Sequence, residues 1–382
     1  MTKQLNTKIL PVFLGFFVMG FVDIIGISVN YIKNEFALSD FMSNILPLML
    51  FIWFFILSLP AGILMNKIGR KNTVMLSIII TAIALIIPYF GKSFNFYLFT
   101  FAMLGIGNTI LQVSLNPLLT NLINQERLSA NLTLGQFIKA ISSFLGPFLA
   151  AFMAKYTNSW SNIFLIYSLV SVVNLLWLVS INIGRENIND KNISFRNLVA
   201  LIYDKYILLF FIGIIMVVGI DVGLNTTVPK FLMKRFAMPV EEASLGSSLY
   251  FAARTLGTFI GSILLARINV RKFFIVTSLL SLLFYSVLLI TDNLIFAGIL
   301  IFFTGISVAN IFSIIFSFAI QHKPDKTNEI SGLMIMGVSG GAIILPIMGR
   351  LTDLYGLIWG MVTLLVCMLY IFLFSIVFVK KG

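Results

Sequence analysis

Long apolar runs, broken by short polar connections, recur along the whole chain. Twelve of them can be drawn, near residues 11–32, 42–65, 73–91, 94–123, 129–155, 161–183, 205–235, 241–267, 272–291, 294–321, 328–352 and 356–379. A bilayer core of about 30 Å is crossed by about 20 residues of helix. Lipid offers the backbone no hydrogen-bond partner, so runs of this length predict helices that satisfy themselves. The one long polar connection, "GRENINDKNISFRNLVALIYDK" from Gly184 to Lys205, separates six runs from six. The pattern predicts an all-α membrane protein with twelve transmembrane helices. They form one six-helix bundle over 1–183, a linker over 184–204 and a second bundle over 205–382. The opening "MTKQLNTKILPVFLGFF" has lysines before an apolar run. It lacks a small-residue cleavage site and outruns a secretory leader, so it reads as a retained first span.

The two halves repeat at an offset near 200 residues. "GILMNKIGRK" from Gly62 matches "SILLARINVRK" from Ser262, and "LGIGN" at Leu104 matches "TGISV" at Thr304. "FLGPF" around Pro147 matches "IILPI" around Pro346, and "FVDIIG" at Phe21 matches "GIDVGL" at Gly219. Four landmarks in one order argue for pseudo-symmetric six-helix bundles, a known transporter architecture.

Composition agrees. Of 382 residues, 59% are hydrophobic and 10% charged, and mean hydropathy is +1.03. Soluble domains run near a quarter charged. A net charge of +12 does not call for nucleic acid, because the loops carry it. Seventeen of the 26 basic residues fall on one set of loops and the two ends. The positive-inside rule therefore places both termini and the linker in the cytoplasm. A multi-pass membrane protein with both ends on the cytoplasmic side is expected. His322 reads as a solvated loop residue. The lone Cys367 excludes an internal disulfide or a cysteine metal cluster, and neither metal nor cofactor is expected.

The connection between the second and third spans carries a specific motif. "GILMNKIGRK", Gly62 to Lys71, fits G-x-L-x-D/N-R/K-x-G-R-R/K, with Gly62, Asn66, Lys67, Gly69, Arg70 and Lys71 at the marked positions. In this motif the sequence resembles the major facilitator superfamily. The resemblance implies a gating loop that latches to the neighbouring domain. Asn66 stands where Asp is commoner, which implies a weaker charged latch. A finer resemblance, to the fucose/proton symporter family and other bacterial hexose transporters, rests on three stretches. They are "GFVDIIGISVNYIKNEFALSD", "GIGNTILQVSLNPLL" and "GGAIILPIMGRLTD". Members often place a Glu four residues before the Asn-Pro of helix 4. Here Gln112 precedes Asn116 and Pro117, and glutamine cannot carry a proton. The family's acidic coupling residue in helix 1 then implies that role for Asp23.

Four charges lie deep inside spans. A charge at the bilayer centre costs about 2.5–3.5 kcal/mol on insertion scales. Asp23 lies about 18 Å along helix 1 from Pro11 at 1.5 Å per residue, near the midplane. Asp221, Lys139 and Arg254 are similarly deep. Each half thus holds one acid and one base, Asp23 with Lys139 and Asp221 with Arg254. Two readings stay open. The pairs can stitch helices together, or they can line a watery pathway in which Asp23 or Asp221 couples transport to protons.

Polar residues on the spans expected to line a cavity give substrate-binding candidates. Helix 4 carries Asn108, Gln112 and Asn116 at four-residue spacing, an amide stripe on one face. Gln136 and Ser143 lie on helix 5, Asn225 on helix 7, Tyr250 on helix 8 and Asn310 on helix 10. Amides donate and accept, which suits sugar hydroxyls. The plainer alternative for any one of them is an interhelical hydrogen bond.

The leading expectation is a secondary transporter, not an enzyme. It moves a hexose or related neutral sugar by alternating access, with protons as the coupling ion and the lipid bilayer as its only other partner, and it acts as a monomer. The alternatives are an organic-anion or sugar-acid transporter using Lys139 and Arg254, a proton-independent sugar uniporter, or a drug/proton antiporter. A membrane sensor or enzyme lacks any motif in its favour.

Overall fold

The structure, a computed structural model, describes residues 2–38, 40–91, 93–123, 127–183, 200–238 and 240–379. Most of the expected linker lies outside the described residues. Among those described there is no strand, and eleven helices are long and apolar enough to cross a membrane. The first expected span is not a continuous helix. It runs as α1 (Thr2–Met19), a 3-10 segment (Gly20–Ile24) and α2 (Ile25–Glu35). Then follow α3 (Asp40–Ile68), α4 (Arg70–Ile86), α5 (Phe94–Thr120), α6 (Leu128–Thr157) and α7 (Ile163–Ser180). The second half holds α8 (Lys205–Phe236), α9 (Val240–Leu265), α10 (Val270–Ile290), α11 (Leu294–Val308) and α12 (Ile311–His322). It closes with α13 (Thr327–Met336), α14 (Gly340–Tyr355) and α15 (Leu357–Val379). The tenth expected span is α11 and α12 with a break at Ala309–Asn310, and the eleventh is α13 and α14 with a 3-10 segment at Gly337–Ser339.

The chain folds as two compact units, each built mainly from one half of the sequence. Unit 1 takes Met1–Gln125, Gly135–Leu201 and Pro324–Met336, and unit 2 takes Glu126–Leu134, Ile202–Lys323 and Gly337–Gly382. Two short segments therefore belong with the other half. They are the start of the fifth span and the start of the eleventh, which occupy equivalent places in the repeat.

Within unit 1, α13 packs on α3 and α5, and small residues allow it. A Cβ on Gly332 would lie 2.7 Å from the Ser58 carbonyl, and one on Gly62 would lie 3.1 Å from that of Asn328. Pro117 lacks the N–H that would pair with the Val113 carbonyl. Ser331 Oγ donates to that carbonyl at 2.6 Å, so the freed group is satisfied as membrane helices require.

The motif loop turns at Gly69, whose φ of +85° suits glycine. Arg70 Nε donates to Asn328 Oδ1 at 2.7 Å and its Nη1 to the Pro117 carbonyl at 3.2 Å, with a further bond to Asn121. Asn328 Nδ2 donates to Asn66 Oδ1 at 2.6 Å. Asn66 thus takes part in an amide pair rather than a charged one. Lys71 Nζ donates to the Ile181 carbonyl at 2.7 Å, a cation at the carbonyl end of α7. Lys67 is exposed.

In unit 2, Asp204 caps α8 by accepting from the Tyr206 and Ile207 amides at 2.9 and 3.3 Å. Lys323 pairs with its carboxylate, and His322 Nε2 lies 3.4 Å away. His322 is therefore not a free loop residue, because it ends α12 beside an acid. Burial pushes the Asp204 carboxyl up, but the Lys323 bond, the two amides and the Lys323 charge outweigh it and hold the pKa at about 2.

Candidate functional site

In unit 1 the site is built around the interruption of the first span. Gly20 begins it, at a point where a side chain has no room. A Cβ there would lie 2.6 Å from the Lys139 carbonyl and 2.7 Å from Ser142 Cβ, so the backbone rests directly on α6. Phe21 is buried and stacks on Tyr167 of α7, with ring centroids 3.8 Å apart at 8°. With Gly20 and Phe21 fixed, Asp23 is left on the exposed side of the segment. Its carboxylate accepts a hydrogen bond from Ser143 Oγ, and Ser143 also donates to the Lys139 carbonyl at 3.0 Å.

Lys139 itself does not reach Asp23. It is half-buried, and among the described residues no ion pair joins it to an acid. The acid of unit 1 is held by a hydroxyl and the base stands apart, unlike the expected pair. Ser143 lies one turn beyond Lys139, so spacing alone could have found it as the neighbour of Asp23.

The amide stripe of α5 lies beneath this segment. Asn108, Gln112 and Asn116 are 1%, 7% and 2% exposed. Asn108 Nδ2 donates to the Met19 carbonyl at 2.8 Å, where the winding changes. Gln112 Nε2 donates to Asn108 Oδ1 at 2.7 Å, and Asn116 Nδ2 to the Gln112 carbonyl at 3.2 Å. Asn116 Oδ1 is buried without a partner. The stripe is thus chiefly engaged with the protein, and Asn108 wholly so. Gln136 of α6 is half-buried.

Unit 2 treats its acid differently. Asp221 sits on α8, which is continuous at this level. Arg254 Nη1 lies 2.9 Å from Asp221 Oδ2, and Tyr250 Oη donates to Asp221 Oδ1 at 2.7 Å. Both carboxylate oxygens are taken. Tyr250 is 0% exposed, so it holds Asp221 and presents no face to a solute. Asn310, at the break of the tenth span, is buried and donates to the Gly257 carbonyl at 3.0 Å. Asn225 is half-buried, and its carbonyl accepts from Ser247 at 2.8 Å. Among the described residues no group of acids, histidines or cysteines is arranged to hold a metal.

Known proteins resemble this chain over nearly its full length. A glucose/galactose transporter of Brucella abortus is 25% identical over 378 residues, covering 95% of this chain and 92% of its own. The fucose:proton symporter FucP of E. coli superposes with a TM-score of 0.84 at 16% identity, covering 97% of this chain and 99% of its own. The proton:xylose symporter XylE superposes with a TM-score of 0.77 at 13% identity, over 100% and 96% of the two chains. At these identities the superpositions establish the fold alone. The family model of the Major Facilitator Superfamily matches residues 12–346 and 209–381. With its interrupted first span, its glycine-turned motif loop and its deep charges, the chain belongs to the major facilitator superfamily, and its work is secondary transport of small polar solutes rather than catalysis.

Proposed function

We propose that the protein carries a hexose or related neutral sugar across a bacterial inner membrane by alternating access, coupled to protons through Asp23. Both termini lie in the cytoplasm in this reading. The observation that carries it is the contrast between the two acids. Asp221 has both carboxylate oxygens engaged, one by the Arg254 guanidinium and one by the Tyr250 hydroxyl. Asp23 is exposed, and among the described residues its one hydrogen-bond partner is the Ser143 hydroxyl. A hydroxyl can donate to the ionised carboxylate and accept from the protonated one, so Asp23 can change state without losing its partner. Gln112 cannot titrate, which leaves the coupling role to helix 1. The name of the Brucella relative supports the sugar class.

Gln112, Asn116, Gln136 and Asn225 are the residues we assign to the solute, and Asn108, Tyr250 and Asn310 to holding the elements around it. One observation favours a second reading. Lys139 has no acid partner among the described residues, and a cation so placed suits a sugar acid. Uptake by proteoliposomes separates the two. D-Glucose and D-galactose should enter, faster with acid outside, and D-galacturonate should not compete. Competition by D-galacturonate alone favours the sugar-acid reading, and sugar uptake indifferent to the pH gradient favours a uniporter.

A further inference from the structure

The hydrogen bonds of Asn108 have a direction that can be worked out. The Met19 carbonyl can only accept, so it takes the Nδ2 end of Asn108, at 2.8 Å. That turns Asn108 Oδ1 toward Gln112. Asn108 Oδ1 can only accept, so Gln112 must meet it with Nε2, at 2.7 Å. The carbonyl end of Gln112 is left over, and among the described residues no donor serves it. One turn on, Asn116 spends its Nδ2 on the backbone carbonyl of Gln112 at 3.2 Å, and its Oδ1 is buried without a partner. The stripe is therefore polarised. A backbone carbonyl of the first span sets one amide, that amide sets the next, and oxygens rather than N–H groups are left free.

We propose that Asn108 is a positioning residue that joins the two functions of unit 1. One end ties the interrupted segment bearing Asp23 to α5. The other end fixes Gln112 so that it offers an acceptor. The free acceptor of Gln112 asks for a solute group that donates, which a neutral hydroxyl does and a carboxylate does not. The inference rests on the sugar reading and adds to it a route between solute and Asp23: a change in how Gln112 is held reaches the Met19–Gly20 junction through one side chain.

Two variants test it, because they cut different links. In Asn108→Leu both links are lost. In Asn108→Asp the outcome depends on protonation. The protonated carboxyl can donate to Met19 and accept from Gln112, as asparagine does. The ionised carboxylate can accept from Gln112 only. The titratable side chains described on the elements packed against α5 are Lys8, Asp23, Lys67, Arg70, Lys71, Tyr89 and Glu329, and α6 brings Lys139 against Gly20. Dividing by the wild type at each pH removes their shared contribution.

The measurement is counterflow exchange of D-glucose and D-galactose in proteoliposomes at equal pH on both sides, from pH 5 to pH 8. A parallel run measures accumulation driven by a pH gradient. Asn108→Asp should exchange within about threefold of the wild type at pH 5 and fall behind it by about tenfold or more at pH 8, the loss of a buried hydrogen bond. At pH 8 it should still prefer neutral sugar to D-galacturonate, because Gln112 stays turned, while its gradient-driven accumulation fails. Asn108→Leu should raise the sugar KM by about tenfold at every pH and lose that preference. A ratio for Asn108→Asp that is flat with pH, or an Asn108→Leu that accumulates sugar like the wild type, overturns the role of Asn108 while leaving the sugar reading intact. A wild type that exchanges neither sugar overturns the sugar reading and this inference with it.

Discussion

Asp23 and Asp221 occupy matching places in the repeat, yet their surroundings differ at every contact. Asp221 meets a guanidinium and a phenol at 2.9 and 2.7 Å, and Asp23 meets a serine hydroxyl. Replacing Asp23 with Asn should abolish accumulation driven by a pH gradient and leave exchange within about threefold, since an amide still accepts from Ser143. Full accumulation by that variant would show that the proton is carried elsewhere. Replacing Asp221 with Asn has a structural consequence instead. It removes the carboxylate that Arg254 Nη1 meets at 2.9 Å. The cost should lie between the about 1 kcal/mol of an exposed pair and the about 3–5 kcal/mol of a buried one, because Arg254 keeps part of its surface. Thermal unfolding of the purified protein reads this. Pairing Asp221→Asn with Arg254→Gln should recover part of the loss, and a double variant no more stable than the single one would contradict the pairing.

Several of the expected spans change winding along their length rather than running as one α-helix. The runs of the sequence located the spans because bilayer thickness imposes their length. They did not reveal the break at Gly20–Ile24, because the partners that hold it are remote in sequence. Asn108 supplies the bond to Met19, and Lys139 and Ser142 receive Gly20. Spacing placed Asn108, Gln112 and Asn116 on one face, which is correct as geometry. It could not say that this face is turned largely to protein, and Tyr250 and Asn310 illustrate the same limit. The Asn66 departure from the common Asp was legible, whereas its amide partner Asn328, 262 residues away, was not. Two predictions belong here. Gly69→Val forces a β-branched residue to a φ of +85° and should destabilise the loop by about 1–3 kcal/mol, seen as a lowered Tm; an unchanged Tm would contradict the strained turn. Asp204 predicts a pH dependence. Its folded pKa of about 2 lies below the ordinary 3.8, so its stabilisation is complete above about pH 4 and is lost as pH falls through about 2. Asp204→Ala should remove a helix cap worth about 1 kcal/mol and flatten the acid limb of a Tm-against-pH curve, and an unaltered limb would argue against the cap.

The sequence divides at the polar connection from Gly184 to Lys205, and four landmarks recur on either side of it. The units that form depart from those halves at two short segments. Glu126–Leu134 goes with unit 2 and Pro324–Met336 with unit 1. Composition cannot show this, because both segments are ordinary starts of apolar spans. What draws Pro324–Met336 into unit 1 is particular chemistry. Gly332 comes against the Ser58 carbonyl, and Ser331 satisfies the Val113 carbonyl that Pro117 releases. In the proposed mechanism a neutral sugar and a proton enter together, the proton on Asp23. It is tested most directly by recording internal pH in lightly buffered proteoliposomes while D-galactose or D-glucose enters with no gradient imposed. Internal acidification should track sugar entry and disappear in Asp23→Asn, with sugar exchange retained. Sugar entry without acidification, or acidification that survives in Asp23→Asn, would contradict it.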